Sequence, residues 1–452
     1  MSHFITRFAP SPTGLLHIGN GRTALIGWLM ARSLDGKFLL RIDDTDKTRS
    51  KKQYEDAIKY DLEWLGLNWD DTFRQSERMD LYLEAKNKLI ASGRLYPCYE
   101  SQEELEIKRK NLIKQGLPPI YDRASLKLTD KKIQELLSGG IKPHWRFLLT
   151  SDIISWHDMI RGDMEFKPEN ITDPILFKAD GSMTYTLASV VDDIESGITN
   201  IVRGEDHLTN SATHIQIFQA LGAKIIPKLA HLSLMKSKTG EISKRLGGFD
   251  IASLREQGIE AMAINSFLGK IGTSDPIEPY LNLDDLIKSF NITKYSKAPI
   301  NYDFDELEKF NSRLIHHMPF NIVKYKLDSL DMSLVNERFW EAIHGNINKI
   351  SDAKVWYDIC YGEINQKDDL DKEFLKIAAN VLPDIDPWDE SIWGQWINNI
   401  KGQTDKKGKD LFLPLRIALT GQESGPEMKL LLPIIGRKKV IKRLLHNAIY
   451  NL

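Results

Sequence analysis

One stretch near the N-terminus has the residue types and spacing to hold an anion. Pro10 and Pro12 fix φ and carry no N–H, so the free amides of this turn belong to Ser11, Thr13 and Gly14. A helix that starts directly after the turn would aim its unpaired N–H groups and the positive end of its dipole at whatever the turn holds. The stretch therefore predicts a phosphate-binding turn.

A histidine stands where that helix is expected to begin. Leu25, Trp28 and Leu29 recur at helical spacing, which predicts a helix from about His17 to Ser33. The imidazole of His17 can donate a hydrogen bond to a phosphate oxygen. A histidine at a helix start can also be a plain helix cap, so its functional interpretation depends on the residues around it.

Two predicted strands place this turn at the edge of a sheet. Residues 4–8 and 38–42 are short apolar runs, and the second continues into an acidic loop at 43–49. In an open parallel sheet, ligands bind outside the carboxyl ends of the strands. The turn at 9–19 and the acidic loop are therefore expected to line one crevice.

Two later segments are predicted to be strands that end in charged residues at the same crevice. Residues 184–193 end in two aspartates, and residues 198–202 lead into Arg203. A guanidinium suits a carboxylate ligand because its fork matches two oxygens. The alternative, a surface ion pair of Arg203 with Glu205 or Asp206, stays open from the sequence.

A third polar loop, at residues 235–248, carries four cations and ends in two glycines. Taken alone, such a loop is most simply a solvated turn. Beside a phosphate-binding turn, its cations could stabilise negative charge that develops during a reaction. The sequence leaves both interpretations open at this point.

Size and composition are those of a globular protein with several cores. The chain has 452 residues, 42% of them hydrophobic, and a mean hydropathy of −0.34. Because it contains no run of eighteen apolar residues and no signal-peptide pattern, we expect a cytoplasmic protein without a membrane contact. The two cysteines, Cys98 and Cys360, exclude a disulfide framework and a four-thiolate zinc site.

Charge is distributed unevenly along a tail that is predicted to be helical. Residues 351–400 contain eleven acidic and four basic residues, whereas residues 401–452 contain eleven basic and four acidic ones. A local basic surface, rather than the net charge of −2, decides affinity for phosphates. A solvated helical face is the alternative. Tryptophans are expected to anchor the core of this tail: Trp340, Trp356, Trp388, Trp393 and Trp396.

Two of these patterns closely resemble the signatures of class I aminoacyl-tRNA synthetases. The first signature is written here His17-Ile18-Gly19-Asn20, and residues 7–14 narrow the likeness to the glutamyl and glutaminyl branch. The second signature, Lys-Met-Ser-Lys-Ser/Arg in the family, is written at 241–245 as Glu-Ile-Ser-Lys-Arg. The likeness covers essentially the whole chain.

The resemblance implies a set of site residues. His17 and Lys244 are the catalytic candidates, the latter on the α-phosphate and the leaving pyrophosphate. Glutamate is expected on Arg7, Ala9, Ser11, Asp43, Tyr185 and Arg203. ATP is expected on Pro10, Thr13, Gly14, His17, Gly19, Asn20, Asp206, Ser243, Lys244 and Arg245. Contacts to tRNA are expected from Arg49, Lys406, Lys407, Lys409, Arg437, Lys438 and Lys439.

The resemblance also implies the fold and its domains. An α/β Rossmann-like class I synthetase catalytic domain, split between 1–81 and 190–235, carries an inserted α/β acceptor-binding domain at 82–189. A helical connector with the second signature follows at 236–305, and an all-α anticodon-binding region at 306–452. The helical tail favours bacterial glutamyl enzymes, because glutaminyl relatives usually end in β-barrels.

The implied activity is that of a glutamate–tRNA ligase working as a monomer. ATP, accompanied by Mg²⁺, and L-glutamate form glutamyl-adenylate, and tRNA(Glu) takes the glutamyl group, with tRNA(Gln) open as a second acceptor. The family generally needs bound tRNA before it activates glutamate. No zinc is expected, because Cys98 is followed by Tyr99-Glu100 and has no partner cysteine.

Three rivals are less favoured than this activity. The helical tail disfavours a glutamine-specific enzyme, and the length of the chain disfavours a truncated relative that modifies a tRNA base. A non-catalytic tRNA-binding paralogue is permitted by Asn20 and Glu241, which replace a histidine and a lysine of the two signatures.

Overall fold

The computed structural model describes residues 4–237, 249–364 and 370–449. The chain divides into two compact units, each with its own core. The first comprises Met1–Gln257 and Ile264–Phe304, and the second comprises Gly258–Ala263 and Asp305–Leu452.

The first unit mixes strands and helices. Its strands are β1 Ile5–Phe8, β2 Lys37–Ile42, β3 Asp71–Arg74, β4 Leu95–Cys98, β5 His144–Phe147, β6 Ile154–Asp158, β7 Gly162–Phe166, β8 Ile175–Phe177, β9 Asn200–Gly204, β10 Lys228–Leu232, β11 Met235–Ser237 and β12 Ile300–Tyr302. Its helices are α1 Ile18–Arg32, α2 Lys52–Trp64, α3 Met79–Ala91, α4 Gln102–Lys114, α5 Asp130–Ser138, α6 Tyr185–Glu195, α7 Leu208–Ala220, α8 Ile251–Glu256, α9 Ala261–Lys270 and α10 Leu283–Lys288.

Two parallel sheets carry the predicted crevice. One has the order β1-β2-β3, and the other has the order β7-β6-β10-β9, in which only β7 is antiparallel to its neighbour. The two sheets meet where Thr199, just before β9, donates its N–H to the carbonyl of Ile5 at 3.0 Å. The carboxyl ends of β1, β2, β9 and β10 consequently face the same side, as the α/β prediction requires.

The segment 82–189, predicted to be an insert, contributes to two different sheets. Its strands β4, β5 and β8 form a separate antiparallel sheet. Its strand β6 pairs in parallel with β10, where Asp158 lies opposite Leu229. The strands of this segment therefore do not all lie in a sheet of their own.

Helix α1 packs against β1, β2 and β9 and is apolar around most of its circumference, which is typical of a buried helix. A Cβ on Gly21 would lie 3.2 Å from Cδ1 of Ile251, so the absence of a side chain there lets α8 approach closely. This helix matches the one predicted from about residue 17 to 33.

The strand predicted at 184–193 is wrong, because these residues lie mainly in helix α6. Leu187, Val190 and Val191 are buried, and their spacings of three and four residues place them on one face of a helix. A short apolar run is compatible with either element, and here the helical spacing decides. Asp192 and Asp193 are consequently buried within a helix rather than standing at a strand end.

The second unit is helical, as predicted, since its described residues form only helices and turns. The helices are α11 Phe304–His316, α12 Phe320–Ser329, α13 Glu337–Ile343, α14 Ala353–Tyr361, α15 Lys372–Asn380, α16 Ser391–Lys401, α17 Lys409–Thr420, α18 Met428–Ile435 and α19 Arg437–Ile449. No helix in the described ranges of either unit is long and apolar enough to cross a membrane.

Tryptophans anchor this helical core only in part. Trp340, Trp356 and Trp396 are buried, and the indole N–H groups of the first and last donate to backbone carbonyls. Trp388 and Trp393 are only half-buried, so the expectation that all five anchor the core is wrong for these two.

Candidate active site

The predicted phosphate-binding turn is tied to the acidic loop beside it. The N–H of Asp43 donates to the carbonyl of Pro10 and that of Lys51 to the carbonyl of Pro12, both at 3.0 Å. Both prolines are buried, whereas Ser11 is exposed. The turn after β1 and the loop after β2 therefore lie side by side, as the strand pattern predicts, and the crevice between them stays a prediction.

His17 is the N-terminal cap of α1, and its geometry identifies its tautomer. Its Nδ1 accepts the N–H of Gly19 at 3.1 Å. Burial lowers the pKa of the imidazole, although the charge of Asp250 opposes this effect. A neutral ring whose Nδ1 is an acceptor carries its proton on Nε2. His17 thus combines a cap with an Nε2–H donor that has no partner among the described residues, and Asn20 in the same first turn is exposed.

The chain that follows the second signature lies directly against the first. The N–H of Ile18 donates to the carbonyl of Phe249 at 2.8 Å, and the N–H of Ile251 to that of Leu16 at 3.0 Å. The ring of Phe249 stacks on His17, with centroids 6.4 Å apart. The predicted ATP-binding residues Ser243, Lys244 and Arg245 lie outside the described residues.

Buried ion pairs connect several predicted glutamate-binding residues. Arg7, at the end of β1, donates to Asp193 of α6 at 3.1 and 3.4 Å. Arg41 donates to Asp193 at 2.8 Å and to both oxygens of Asp43 at 2.7 and 3.2 Å. Burial raises the pKa of Asp43, against the effect of Arg41. Arg7 and Asp43 are thus held by one network, and Ala9 lies half-buried beside them in sequence.

Arg203 is buried at the end of β9 and has no carboxylate partner among the described residues. It is 8% exposed, and its Nε has no hydrogen-bond partner in that part of the chain. Burial and the charge of Arg7 lower the pKa of Arg203 to about 10, so it remains a cation at neutral pH. Glu205 pairs with Arg161 instead, and Asp206 is exposed. The alternative of a surface ion pair is therefore wrong.

Tyr185 stands at the start of α6, beside two histidines. Its hydroxyl accepts from the amide of Asn210, and its ring contacts those of His207 and His214 edge-on, with centroids 6.4 and 6.2 Å apart. His214 Nδ1 lies 3.5 Å from a guanidinium nitrogen of Arg203. The structure thus brings Tyr185 and Arg203 into one cluster, through His214.

Sequence reasoning missed several residues of this region. Arg41 and Asp193 link the predicted ligands, and Asp158, Ser211 and His231 form a buried chain next to Arg203. One signal was visible for Arg41, because a cation inside the apolar run at 38–42 needs a buried partner. The other residues come from distant elements, so no local spacing connects them.

The residues proposed to touch tRNA differ in solvent exposure and in whether they form an ion pair. Arg49 is exposed and pairs with Asp46. In the second unit, Lys406 and Arg437 pair with Asp371 and Asp384 at 3.0 and 3.2 Å. The exposed cations of the second unit's set are Lys407, Lys409 and Lys438.

Lys439 makes hydrogen bonds that the sequence did not predict, and its contact with tRNA stays a prediction. Its ammonium donates to the carbonyls of Cys360 and Tyr361 at 3.0 and 2.6 Å, at the C-terminus of α14. A cation at this end of a helix satisfies free carbonyls and complements the dipole. Arg443 is 3% exposed and donates to three backbone carbonyls. Neither side chain is free to meet a phosphate in this arrangement.

A cluster around Cys98 bears on the expectation of no zinc, which stays a prediction. The potential ligand atoms of Cys98, Glu100 and His144 lie within 4.8 Å of one another. Both oxygens of Glu100 already accept hydroxyl hydrogens, from Tyr121 and Ser125 at 2.8 Å each. Burial raises the pKa of the Cys98 thiol and, with Arg146, lowers that of His144 to about 4. Three protein ligand atoms are one fewer than a structural zinc site takes.

Comparison with known families matches nearly the whole chain. The model described as "tRNA synthetases class I (E and Q), catalytic domain" matches residues 3–309, and "Anticodon binding domain" matches residues 347–448.

Individual relatives agree with these matches. "Glutamate--tRNA ligase 1" of Rickettsia bellii is 51% identical over 446 residues, covering 98% of this chain and 100% of the relative. The protein of the same name from Rickettsia prowazekii is 51% identical over 453 residues, covering 99% and 100%. The structure of a glutamate tRNA ligase from Elizabethkingia meningosepticum in complex with its amino acid has a TM-score of 0.84 at 25% identity, covering 98% of this chain and 99% of that one.

Proposed function

The chain belongs to the class I tRNA synthetases for glutamate and glutamine, in the branch of the glutamate–tRNA ligases, and we propose that it joins L-glutamate to tRNA(Glu) in two steps. Glutamate attacks ATP to give glutamyl-adenylate and pyrophosphate. The 3′-terminal ribose of the tRNA then takes the glutamyl group, and AMP leaves. The observation that carries this proposal is Arg203, a buried guanidinium with no carboxylate partner among the described residues.

The glutamate site is formed around this guanidinium. Arg203 and Tyr185 bind the γ-carboxylate, because a fork of N–H donors and a hydroxyl match its two oxygens. Arg7, near the end of the neighbouring strand β1, assists in binding the γ-carboxylate, since its positive charge lies close enough to act on Arg203. Asp43 binds the α-ammonium group as a fixed carboxylate, together with Ser11 and the backbone at Ala9. A neutral side-chain amide would leave the buried cation uncompensated, which favours glutamate over glutamine.

ATP binds along the turn and the N-terminus of α1. The amide of Gly14 and the Nε2–H of His17 are the donors to phosphate oxygens, and the nucleotide is lined by Pro10, Thr13, Gly19, Asn20 and Asp206. The N–H groups of Thr13 and Gly19 already donate, to the carbonyl of Ser11 and to Nδ1 of His17. Mg²⁺ enters with ATP as its companion, so the protein needs no resident metal ligands. Ser243, Lys244 and Arg245 complete the site. Phe249, five residues after Lys244 in the sequence, stacks on His17.

Positioning and charge stabilisation are sufficient for this chemistry. An oxygen of the glutamate α-carboxylate attacks the α-phosphorus of ATP, and the bond to the bridging oxygen of pyrophosphate breaks. Negative charge grows on the leaving group, where the ammonium of Lys244 and the N–H of His17 can stabilise it. This displacement needs no covalent intermediate on the protein.

Contacts with tRNA extend over the remaining segments. We assign 82–189 to the acceptor end, 236–305 to the stem and 306–452 to the anticodon region. Lys407, Lys409 and Lys438 are the exposed cations of the last segment's set. The protein acts as a cytoplasmic monomer in this proposal.

Aminoacylation of purified tRNA(Glu) and, separately, tRNA(Gln) with labelled glutamate and ATP tests the proposal. Charging of tRNA(Glu) alone is expected of a discriminating ligase, and charging of both would add tRNA(Gln) as an acceptor. No charging of either would refute the ligase activity. Turnover of Lys244→Ala near the wild-type value would refute the role of that ammonium.

A further inference from the structure

A chain of hydrogen bonds connects a buried carboxylate to the guanidinium of Arg203. Asp158 Oδ2 lies 2.5 Å from Nδ1 of His231, and Nε2 of that ring lies 2.6 Å from Oγ of Ser211. The same Oγ accepts a hydrogen bond from Nη2 of Arg203. Asp158, His231 and Ser211 are each at most 1% exposed, so water does not compete for these bonds. We name these three residues the relay.

The donors and acceptors of the relay can be assigned in one consistent direction. Asp158 accepts the N–H of Ile160 and Arg161 at 3.0 and 2.9 Å, which suits an ionised carboxylate. Burial lowers the pKa of His231, so its ring is neutral and donates Nδ1–H to Asp158. Its Nε2 is then an acceptor for the hydroxyl of Ser211. Arg203 donates at the other end.

The hydroxyl of Ser211 has a second acceptor nearby, but the relay contact is shorter. The carbonyl of His207 lies 3.0 Å from Oγ, against 2.6 Å for Nε2 of His231. A hydroxyl has a single proton, and the shorter contact takes it when the ring is neutral. The dipoles of His231 and Ser211 are therefore aligned between the carboxylate of Asp158 and the guanidinium of Arg203, with their negative ends towards Arg203.

The order Asp158, His231, Ser211 is that of a hydrolytic triad, but it cannot act as one here. Ser211 is 0% exposed, and its Oγ already accepts from Arg203. A nucleophile must reach the reacting carbonyl, which this hydroxyl does not. The relay is therefore a device that acts on Arg203.

The relay orients the guanidinium of Arg203 and leaves other N–H groups of that guanidinium available to bind a ligand. A carboxylate in direct contact would occupy the guanidinium fork, whereas the relay takes a single bond at Nη2. Nε remains without a hydrogen-bond partner among the described residues. We propose that Asp158, His231 and Ser211 are positioning residues that hold Arg203 ready for the γ-carboxylate and so set the affinity for glutamate. This inference rests on the role of Arg203 in the proposed function.

Ser211→Ala tests the relay with the smallest change to the fold. Pyrophosphate exchange in the presence of tRNA(Glu) is measured over a range of glutamate and ATP concentrations. We expect KM for glutamate to rise about tenfold, because bonds to charged groups are the strong class. The values of kcat and KM for ATP are expected to stay within about twofold, since no relay residue touches ATP in the proposed site. Ser211→Thr restores the hydroxyl and is expected to recover most of the glutamate affinity.

Asp158→Asn is the second variant, and the neighbouring strand offers its matched control. Asp163 of β7 pairs with His157 at 2.8 Å, and both side chains are exposed. Asp163→Asn is therefore expected to leave KM for glutamate unchanged, whereas Asp158→Asn raises it. Thermal unfolding of each variant shows that the assayed protein is folded.

Arg203→Ala separates the relay from the proposed function. If Arg203→Ala raises KM for glutamate and Ser211→Ala does not, the relay inference is overturned and the role of Arg203 stands. If neither variant changes KM for glutamate, the assignment of Arg203 fails, and the relay inference fails with it. A fall in kcat in Ser211→Ala with KM for glutamate unchanged would also overturn the relay, because it would indicate general damage.

Discussion

Arg41 donates to both carboxylate oxygens of Asp43, from Nε to Oδ1 at 2.7 Å and from Nη2 to Oδ2 at 3.2 Å. The two residues are two positions apart, at the end of β2, and Arg41 is 2% exposed. Since the guanidinium also reaches Asp193, the carboxylate of Asp43 is fixed from one side by a cation of its own strand. In the proposed site, Asp43 therefore receives the α-ammonium of glutamate without first becoming ordered.

Replacement of Asp43 by asparagine tests this role. Asp43→Asn keeps the size of the side chain but removes the charge that offsets the ammonium, so KM for glutamate is expected to rise more than about tenfold. The neighbouring carboxylate gives a matched control, since Asp44 bonds to the backbone and hydroxyl of Ser76 at 2.8 and 2.6 Å. Asp44→Asn is expected to change KM for glutamate by less than about twofold. An unchanged KM in Asp43→Asn would remove Asp43 from the glutamate site.

Glu55 of α2 is expected to make the stability of the first unit depend on pH. Burial opposes ionisation, but hydrogen bonds from Arg74 and Lys59 outweigh it and lower the pKa of Glu55 to about 2. A carboxyl whose pKa is lowered in the folded state stabilises it above the unfolded pKa of about 4.3, and this contribution is lost as pH falls towards 2.

Thermal unfolding of Glu55→Gln and wild type between pH 7 and 2.5 measures that contribution. The variant is expected to unfold a few degrees lower at pH 7, and the difference is expected to shrink below about pH 4. Asp56→Asn is the control, because Asp56 lies exposed on the same helix in an ion pair with Lys52. A difference between Glu55→Gln and wild type that stays constant with pH would contradict the assignment.

Part of this architecture was predictable because it depends on local signals. Local sequence signals mark the boundaries of the Pro-rich turn, of the helix that follows it and of the strand at 38–42, and these elements appear as predicted. Residues 184–193 lack such boundary signals, and a short apolar run fits a strand or a buried helix equally well. Nothing in the neighbourhood of Lys439 distinguishes a phosphate-binding lysine from a cap on α14, because the carbonyls come from residues 360 and 361.

The basic tail is expected to show two kinds of lysine. Combined replacement of Lys407, Lys409 and Lys438 by alanine removes exposed cations, so tRNA affinity at low salt is expected to fall. The slope of log affinity against log salt is expected to decrease by about 0.7 to 0.9 for each phosphate that the variant no longer neutralises. Filter binding with tRNA(Glu) at several salt concentrations measures this slope.

Lys439→Ala is the matched control for that measurement. Its ammonium caps α14, so the variant is expected to lower the unfolding temperature and to leave the salt slope unchanged. A strong decrease of the slope in Lys439→Ala, with no change in the triple variant, would reverse the two roles.

In the proposed site His17 has two tasks, one for each ring nitrogen, and one substitution can separate them. Asn is a good N-cap, and its side-chain oxygen can replace Nδ1 as the acceptor for the N–H of Gly19. It lacks a donor where Nε2–H stands. His17→Asn is therefore expected to keep the unfolding free energy within about 0.5 kcal/mol of wild type, while kcat falls about 100-fold or more.

His17→Ala removes the cap as well as the donor, and the comparison of the two variants decides between the roles of His17. It is expected to lose about 1 kcal/mol of unfolding free energy in addition to the fall in kcat. Urea unfolding and pyrophosphate exchange, measured on the same preparations, give both quantities. If His17→Asn exchanged pyrophosphate at the wild-type rate, His17 would be a cap alone, and the backbone amides at the start of α1 would have to hold the phosphates without it.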